Sequence, residues 1–265
     1  MRDKREKLRR YNSRSPWPPT LMSAPRFHVA TALPRDQIFP ATHTLDAAAA
    51  QHLRVLRLTE GDALTLFDGA GGEFLARVES LGKRDVMVSL QRFSVIEREA
   101  TRATTLVQAL ATGDKMDWII QKATELGVAA IVPVMSARGT VKLDRERADK
   151  RAQHWRAVAV AACEQCGRNR VPIIYPVMEF TAWAARESEA VRVMLHPVAQ
   201  SALSQFLATE PHLALVVGPE GGFTDEEIAL AERHGIARAA FGPRVLRTET
   251  AGMAALAARL ALSPH

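Results

Sequence analysis

Apolar and polar positions follow two different rhythms along this chain. From about Phe27 to Phe93 the apolar runs are short and strand-like: Ala63–Phe67, Glu73–Val78 and Val86–Leu90, the last alternating with a period of two. The turn Asp68-Gly-Ala-Gly-Gly72 joins the first two, and Asp-Gly between such runs signals a hairpin. His52-Leu-Arg-Val-Leu-Arg57 reads as a helix end or loop carrying two arginines. After a polar linker at 94–103 the rhythm changes. Strands are predicted at Thr104–Leu110, Val128–Val134, Ile173–Ile174, Val191–Leu195 and Leu213–Val217, with a short one at Ala239–Phe241. Between them Met116, Ile119, Ile120, Ala123 and Leu126 fall at helical spacing, after a capping Asp114 and before a terminating Gly127. Residues 144–166 form a charged, then alanine-rich helix, and Ala251–Leu262 a terminal helix whose small residues allow close backbone approach. The pattern predicts a small β-rich domain over residues 22–95 and an α/β domain with a largely parallel sheet over 96–265.

The last third carries two loops of special composition. Leu213–Val217 is wholly apolar, which suits a strand buried on both faces of a parallel sheet. Gly218-Pro-Glu-Gly-Gly222 follows it, where the glycines permit a sharp turn and close approach to a ligand. Thr224 and Glu227 then form a Thr-x-x-Glu capping box, and Gly235 is placed to end the helix. A second break, Phe241-Gly-Pro-Arg-Val-Leu-Arg-Thr-Glu-Thr250, leads into the terminal helix. The two loops are either two walls of one pocket or two ordinary turns; spacing alone leaves both open.

Charge narrows the partners less than it first suggests. The net charge of +6 is concentrated at the start, where residues 1–21 hold seven basic residues against two acidic ones, a net +5. That leaves +1 for Met22 onward, so an argument for nucleic acid must rest on local patches. Residues 1–21 lack apolar periodicity and read as a disordered basic extension. Met22 is an alternative start of translation, and the rival reading is a basic arm adding salt-sensitive affinity for RNA. No apolar run approaches the length of a membrane span. Two cysteines, Cys163 and Cys166, do not make a disulfide framework, so a reducing cytoplasm is expected. Three apart within a helical pattern, they read as structural residues rather than metal ligands.

Gly218–Gly222 lacks the Lys-Ser/Thr of a phosphate loop, and Glu220 would repel phosphate; the glycine spacing does not fit a dinucleotide fold. An acid in a glycine turn suits a neutral or cationic ligand, and a sulfonium cofactor is cationic. Arg168 and Arg170 flank a loop after the long helix, and Arg54, Arg57, Arg77, Lys83 and Arg84 could form a phosphate-binding face. Solvated surface charge is the commoner explanation for the five-residue face and at least as common for the loop pair.

Four blocks together resemble one family. Asp114-Lys-Met-Asp-Trp-Ile-Ile-Gln-Lys-Ala-Thr-Glu-Leu-Gly127, Ala162-Cys-Glu-Gln-Cys-Gly-Arg168, Gly218-Pro-Glu-Gly-Gly-Phe223 and Gly242-Pro-Arg-Val-Leu-Arg-Thr-Glu-Thr-Ala251 are similar, in that order, to the RsmE family. That family methylates N3 of one uridine in bacterial 16S ribosomal RNA, the conventional uridine 1498. The likeness spans about Pro25 to the C-terminus. It implies a PUA-like RNA-binding β-barrel, then a SPOUT methyltransferase domain with a trefoil knot, S-adenosylmethionine as cofactor, no metal, and a homodimer acting on the small subunit. Two departures stand out. The family's Ser-Glu-Arg-Ser is Ser136-Ala-Arg-Gly139 here, and Cys166 replaces a serine.

Carried over by position, the cofactor would lie among Leu195, His196 and Pro197; Gly218, Pro219, Glu220, Gly221 and Gly222; and Phe241, Gly242, Val245, Leu246 and Thr250. Uracil N3 must lose a proton before it attacks, and the charge left behind spreads onto carbonyl oxygens. The resemblance therefore makes Arg247 and Arg168 candidates for holding that charge, and Glu220 or Glu249 candidates for the base. Arg54, Arg57, Arg138, Arg168 and Arg170 are the candidate RNA contacts. Two rivals remain: a catalytically silent RNA-binding assembly factor of the same fold, or a SPOUT enzyme with another RNA target.

Overall fold

The computed structural model describes residues 24–82 and 85–262. The basic extension 1–21, Met22, and Lys83 and Arg84 of the proposed phosphate face lie outside the described residues. The chain divides into two compact units at Glu97/Arg98.

The first unit holds β1 (Arg26–His28), β2 (Ala41–Thr44), α1 (Ala47–Val55), β3 (Ala63–Phe67), β4 (Glu73–Leu81) and β5 (Val86–Ser94). They form a mixed five-stranded sheet in the order β1-β3-β4-β5-β2, in which β1 and β3 are parallel and the other pairs antiparallel. The expected hairpin is β3–β4, and its turn is fixed by Asp68, which accepts from Leu33 N, Ala70 N and the Arg35 guanidinium. Period-two alternation sends Leu64, Leu66, Phe74, Ala76, Val78, Val86, Val88 and Leu90 into one core with Phe27 and Leu53. The segment read as a helix end or loop is the last turn of α1, a helix started by Asp46 accepting from Ala49 N at 2.9 Å.

The second unit holds β6 (Ala103–Ala109), α2 (Lys115–Glu125), β7 (Ala130–Met135), α3 (Arg145–Cys166), β8 (Ile173–Ile174), β9 (Met178–Glu179), α4 (Phe180–Ala184) and β10 (Val191–Leu195). It continues with α5 (Ser204–Leu207), β11 (His212–Val217), α6 (Asp225–Arg233), β12 (Ala237–Ala239) and α7 (Thr248–Ala261). The strand order is β12-β10-β11-β6-β7-β8, with β9 also on β7, and every pairing is parallel. Alternate residues feed two separate cores. Leu106, Leu213, Leu215 and Val217 pack with Ile119, Ile120, Trp155 and Leu256 of α2, α3 and α7. Val107, Val132, Ala214 and Val216 pack on the opposite side with Phe180, Phe223 and Ile236. A sheet covered on both faces explains why its strands read as unbroken apolar runs. The small residues of α7 have the expected consequence: a Cβ on Gly252 would sit 3.2 Å from Leu106 Cδ1.

Some boundaries differ from expectation. Asp114 precedes α2 but its side chain makes no capping hydrogen bond. The strand expected at Ala239–Phe241 ends at Ala239, leaving Phe241 free to face a cavity. The terminal helix starts at Thr248, so Glu249 and Thr250 lie in its first turn. No helix among the described residues is long and apolar enough to cross a membrane.

Candidate functional site

Because β10, β11 and β12 are parallel neighbours, the loops leaving them emerge at the same edge of the sheet. That edge, at the carboxyl ends of the strands, is where open α/β sheets bind ligands. A cavity of about 640 Å³ opens there. Its walls are Leu195, His196 and Pro197 after β10, the loop from Gly218 to Phe223 after β11, and Phe241 with Arg244–Glu249 before and within α7. The two glycine-bearing loops are therefore two walls of one cavity, with a third supplied by the histidine loop. Gly242 and Thr250, also expected at the cofactor, do not line it. Gly242 serves the turn at φ +73°, and Thr250 sits in α7 with its N–H donating to Arg247 O.

Local sequence explains the shape of each wall. Gly222 adopts φ +69° and its N–H donates to Pro219 O at 2.9 Å, closing the turn. At Gly218 a Cβ would lie 3.2 Å from the Phe223 ring, so the ring packs where a side chain would otherwise be. The capping box is present: Glu227 N donates to Thr224 Oγ1 and Thr224 N donates to Glu227 Oε2. The second oxygen of Glu227 accepts from Ala137 N at 2.8 Å, which ties the loop after β7 to the start of α6. Arg138 is thereby held on the cavity wall, its guanidinium donating to Phe223 O. The Thr248 hydroxyl donates to Gly218 O, while buried Gln108 donates to Thr248 Oγ1 at 3.0 Å, pinning the glycine loop to α7.

The charged end of the cavity is built around Lys115. Its ammonium lies 2.8 Å from Glu220 Oε1 and 3.6 Å from Glu249 Oε2, the second distance being an ion pair without a hydrogen bond. Glu220 Oε1 also accepts from Thr112 N and Oγ1. Burial pushes the Glu220 carboxyl up, but hydrogen bonds from Lys115, its own N–H and Thr112 outweigh that and hold it at about 2. The same hydrogen bond to Glu220 raises the Lys115 ammonium. A carboxylate held low in this way is a weak proton acceptor near neutral pH. Glu249 Oε2 is buried with no hydrogen-bond partner, and so is His196 Nδ1.

The arginines separate into different environments. Arg247 lines the cavity, is exposed, and makes no ion pair with Glu249. Arg168 lies elsewhere and is only 3% exposed. It grips Glu99 with two nitrogens and donates to Thr124 O, joining the chain before β6 to the end of α2. The geometry assigns Arg168 to holding these segments together, not to the cavity or to an RNA-facing surface. Arg170 is exposed outside the cavity, with its carbonyl accepting from Cys163 Sγ. In the first unit Arg54 donates to Gly82 O and exposed Arg57 adopts φ +56°. Sequence reasoning missed Lys115, Arg244 and Thr248 as cavity residues and Gln108 and Thr112 as their supports. Lys115 stood within the first of the four blocks, but nothing local marks a lysine whose partners are 105 and 134 positions away.

Known proteins place this architecture. An RNA methyltransferase domain model matches residues 98–260, and an RNA methyltransferase PUA domain model matches 45–91. The ribosomal RNA small subunit methyltransferase E of Bacillus subtilis is 34% identical over 238 residues, covering 85% of this chain and 93% of that protein. Its counterpart from Mycobacterium bovis is 34% identical, covering 77% of this chain and 80% of the other. The crystal structure of the Neisseria gonorrhoeae ribosomal RNA small subunit methyltransferase E, bound to S-adenosyl methionine, superposes with a TM-score of 0.84. That pair is 35% identical and covers 90% and 98% of the two chains. With its parallel α/β sheet, its cavity at the strand ends and these likenesses over most of its length, the chain belongs to the ribosomal RNA small subunit methyltransferase E family.

Proposed function

We propose that the protein is a methyltransferase that uses S-adenosylmethionine to methylate N3 of one uridine in the 16S RNA of the small ribosomal subunit. The observation that carries this reading is the single cavity into which three parallel strands deliver their loops, in a chain of this family. The cofactor fits what the cavity offers. Its walls are largely backbone and small turns, it has no phosphate loop, and His196 Nδ1 and Glu249 Oε2 are buried polar atoms that make no hydrogen bond within the protein. The loops at Leu195–Pro197, Gly218–Gly222 and Phe241–Leu246 would hold adenine and ribose, and the carboxylates beside Lys115 would face the cationic end. When bound, the cofactor supplies a methyl group on a positively charged sulfur.

The remaining work falls to this chain. Glu220, clamped by Lys115 and Thr112, acts as a fixed anion that shapes the site. Glu249, whose Oε2 meets Lys115 only as a longer ion pair and accepts no hydrogen bond, is the candidate acceptor for the N3 proton. Arg247, with Arg244 beside it, is placed to meet the charge that deprotonation leaves on the uracil oxygens. Much of the rate would come from aligning donor and acceptor in a walled site. Three further parts of the reading are inferred from the resemblance: a homodimer, a trefoil knot in the methyltransferase unit, and RNA binding by Arg54 and Arg57 of the PUA-like unit. A ribosomal substrate supports a cytoplasmic location.

The test is transfer of a labelled methyl group to purified small subunits, large subunits and naked 16S RNA. Incorporation into small-subunit RNA alone is expected. Cofactor binding with no transfer to any of them would instead favour a catalytically silent assembly factor.

A further inference from the structure

One segment outside the cavity carries a local excess of positive charge. Residues 142–156 carry six basic side chains against three acidic ones, a net +3, whereas all of residues 22–265 sum to +1. Most of this segment is the first half of α3. Its buried side is Trp155 and Ala159, which face the core. Arg147, Lys150, Arg151 and His154, at spacings of three and four, lie on one stripe of the helix and are all exposed. With Leu143 they line an open groove of about 550 Å³.

Two features separate this stripe from ordinary surface charge. First, its cations are lightly held. Arg147 meets Asp144 at 3.4 Å and Lys150 meets Glu146 at 2.6 Å, but all four side chains are well exposed, and such pairs are weak. Arg151 has no hydrogen-bond or ion-pair partner among the described residues. Second, the groove continues toward the cavity. Leu143 and Arg151 also line a smaller hollow of about 150 Å³, whose other walls include Ala111, Gly113 and Asp114. Between those residues stands Thr112, which clasps Glu220 at the cavity, and Lys115 next to Asp114 lines the cavity itself. The groove and the hollow share Leu143 and Arg151, and the hollow's Asp114 is the chain neighbour of Lys115 at the acidic end of the site.

The geometry points to the α3 stripe as a docking track for the phosphate backbone of the RNA strand that enters the cavity, with Arg147, Lys150 and Arg151 as its phosphate contacts. The inference rests on the proposed RNA substrate and adds a contact surface within the methyltransferase unit itself. A flexible strand presents phosphates about as far apart as successive turns of such a stripe, and exposed cations that exchange weak internal partners for phosphate lose little.

The test compares the full-length protein with the triple variant Arg147→Gln/Lys150→Gln/Arg151→Gln and with Arg156→Gln, an exposed charge off the stripe. RNA binding to a small-subunit fragment that the unaltered protein methylates is measured across salt concentrations, with cofactor affinity and molecular mass in solution measured alongside. Removing three phosphate contacts should lower the slope of log affinity against log salt by about 2 and weaken binding on the order of tenfold. Arg156→Gln should leave both close to unaltered, and cofactor affinity and mass should not move in either variant. The inference is overturned by an unchanged salt slope in the triple variant, by an equal loss in Arg156→Gln, or by a shift in oligomeric state that accounts for the loss. Failure of the unaltered protein to methylate any small-subunit RNA would instead overturn the functional reading on which the inference rests.

Discussion

The Lys115 ammonium stands 2.8 Å from the Glu220 carboxylate at the charged end of the cavity, joining α2 to the glycine loop after β11. The pair sets the protonation of Glu220, whose folded pKa is lowered to about 2 against an ordinary value of 4.5. A depressed carboxylate contributes stability that is present above its unfolded pKa and is lost as pH falls through the folded one. The window is therefore roughly pH 4.5 down to 2. Glu220→Gln should lower the melting temperature near neutral pH, and its gap from the unaltered protein should close as pH falls from 5 to 2. Thermal melts across that range check it; a gap independent of pH would contradict the pairing. Lys115→Met should release only part of that contribution, because Thr112 and the Glu220 N–H still hold the carboxylate, and should also weaken cofactor binding.

Glu227 connects two walls of the site. Its buried carboxylate accepts from Thr224 N and Ala137 N, so one side chain both starts α6 and fixes the loop that carries Arg138. Losing the cap alone costs about 1 kcal/mol, and a second buried N–H left unpaired adds a comparable amount. Glu227→Ala should destabilise the protein by about 2 kcal/mol in urea unfolding. Thr224→Ala should lose only the first part. Equal losses from the two variants would show that the bond to Ala137 contributes nothing.

Arg168 belongs to a buried network with Glu99 and the carbonyl of Thr124, apart from the cavity. Removing one partner of such a pair leaves the other uncompensated, at a cost of roughly 3 kcal/mol. Arg168→Ala should therefore unfold at lower urea while binding cofactor normally below its transition. A variant of unchanged stability that had lost methyl transfer would return Arg168 to the reacting centre.

At Arg57 the backbone takes φ +56°, a conformation that costs a non-glycine residue about 1 kcal/mol. The residue closes α1: Leu58 N donates to Leu53 O and Arg57 N to Arg54 O, in the position where glycine is usual. Arg57→Gly should raise stability by about 1 kcal/mol and, if the arginine contacts RNA, weaken RNA binding in a salt-dependent way. Calorimetry and RNA titration of the same variant decide it; a more stable protein with unchanged RNA affinity would remove Arg57 from the interface.

What could be read in advance followed from local physics. The apolar run ending in Val217, the turn at Gly218 and the Thr224–Glu227 box are each specified by neighbours, and each stands where expected. The two-core division also follows from alternation along β6 and β11. The site's electrostatics did not show, because they depend on distant partners. Lys115 meets Glu220 across 105 positions, and Arg168 meets Glu99 across 69. A loop arginine beside a glycine looks identical in sequence whether it is solvated, gripping a ligand or buried on a carboxylate. Likewise nothing local separates the acids Glu220 and Glu249 until Lys115 is placed between them and Thr112 beside Glu220 alone.

The most direct measurement is to incubate the protein with S-adenosylmethionine and small ribosomal subunits, and to map the methylated base by nuclease digestion and mass spectrometry. The account predicts a single modified nucleoside, uridine methylated at N3, at one position of the 16S RNA, with the yield sharply reduced by Glu249→Gln. Methylation at a ribose hydroxyl, at another base, or in another RNA class would contradict it.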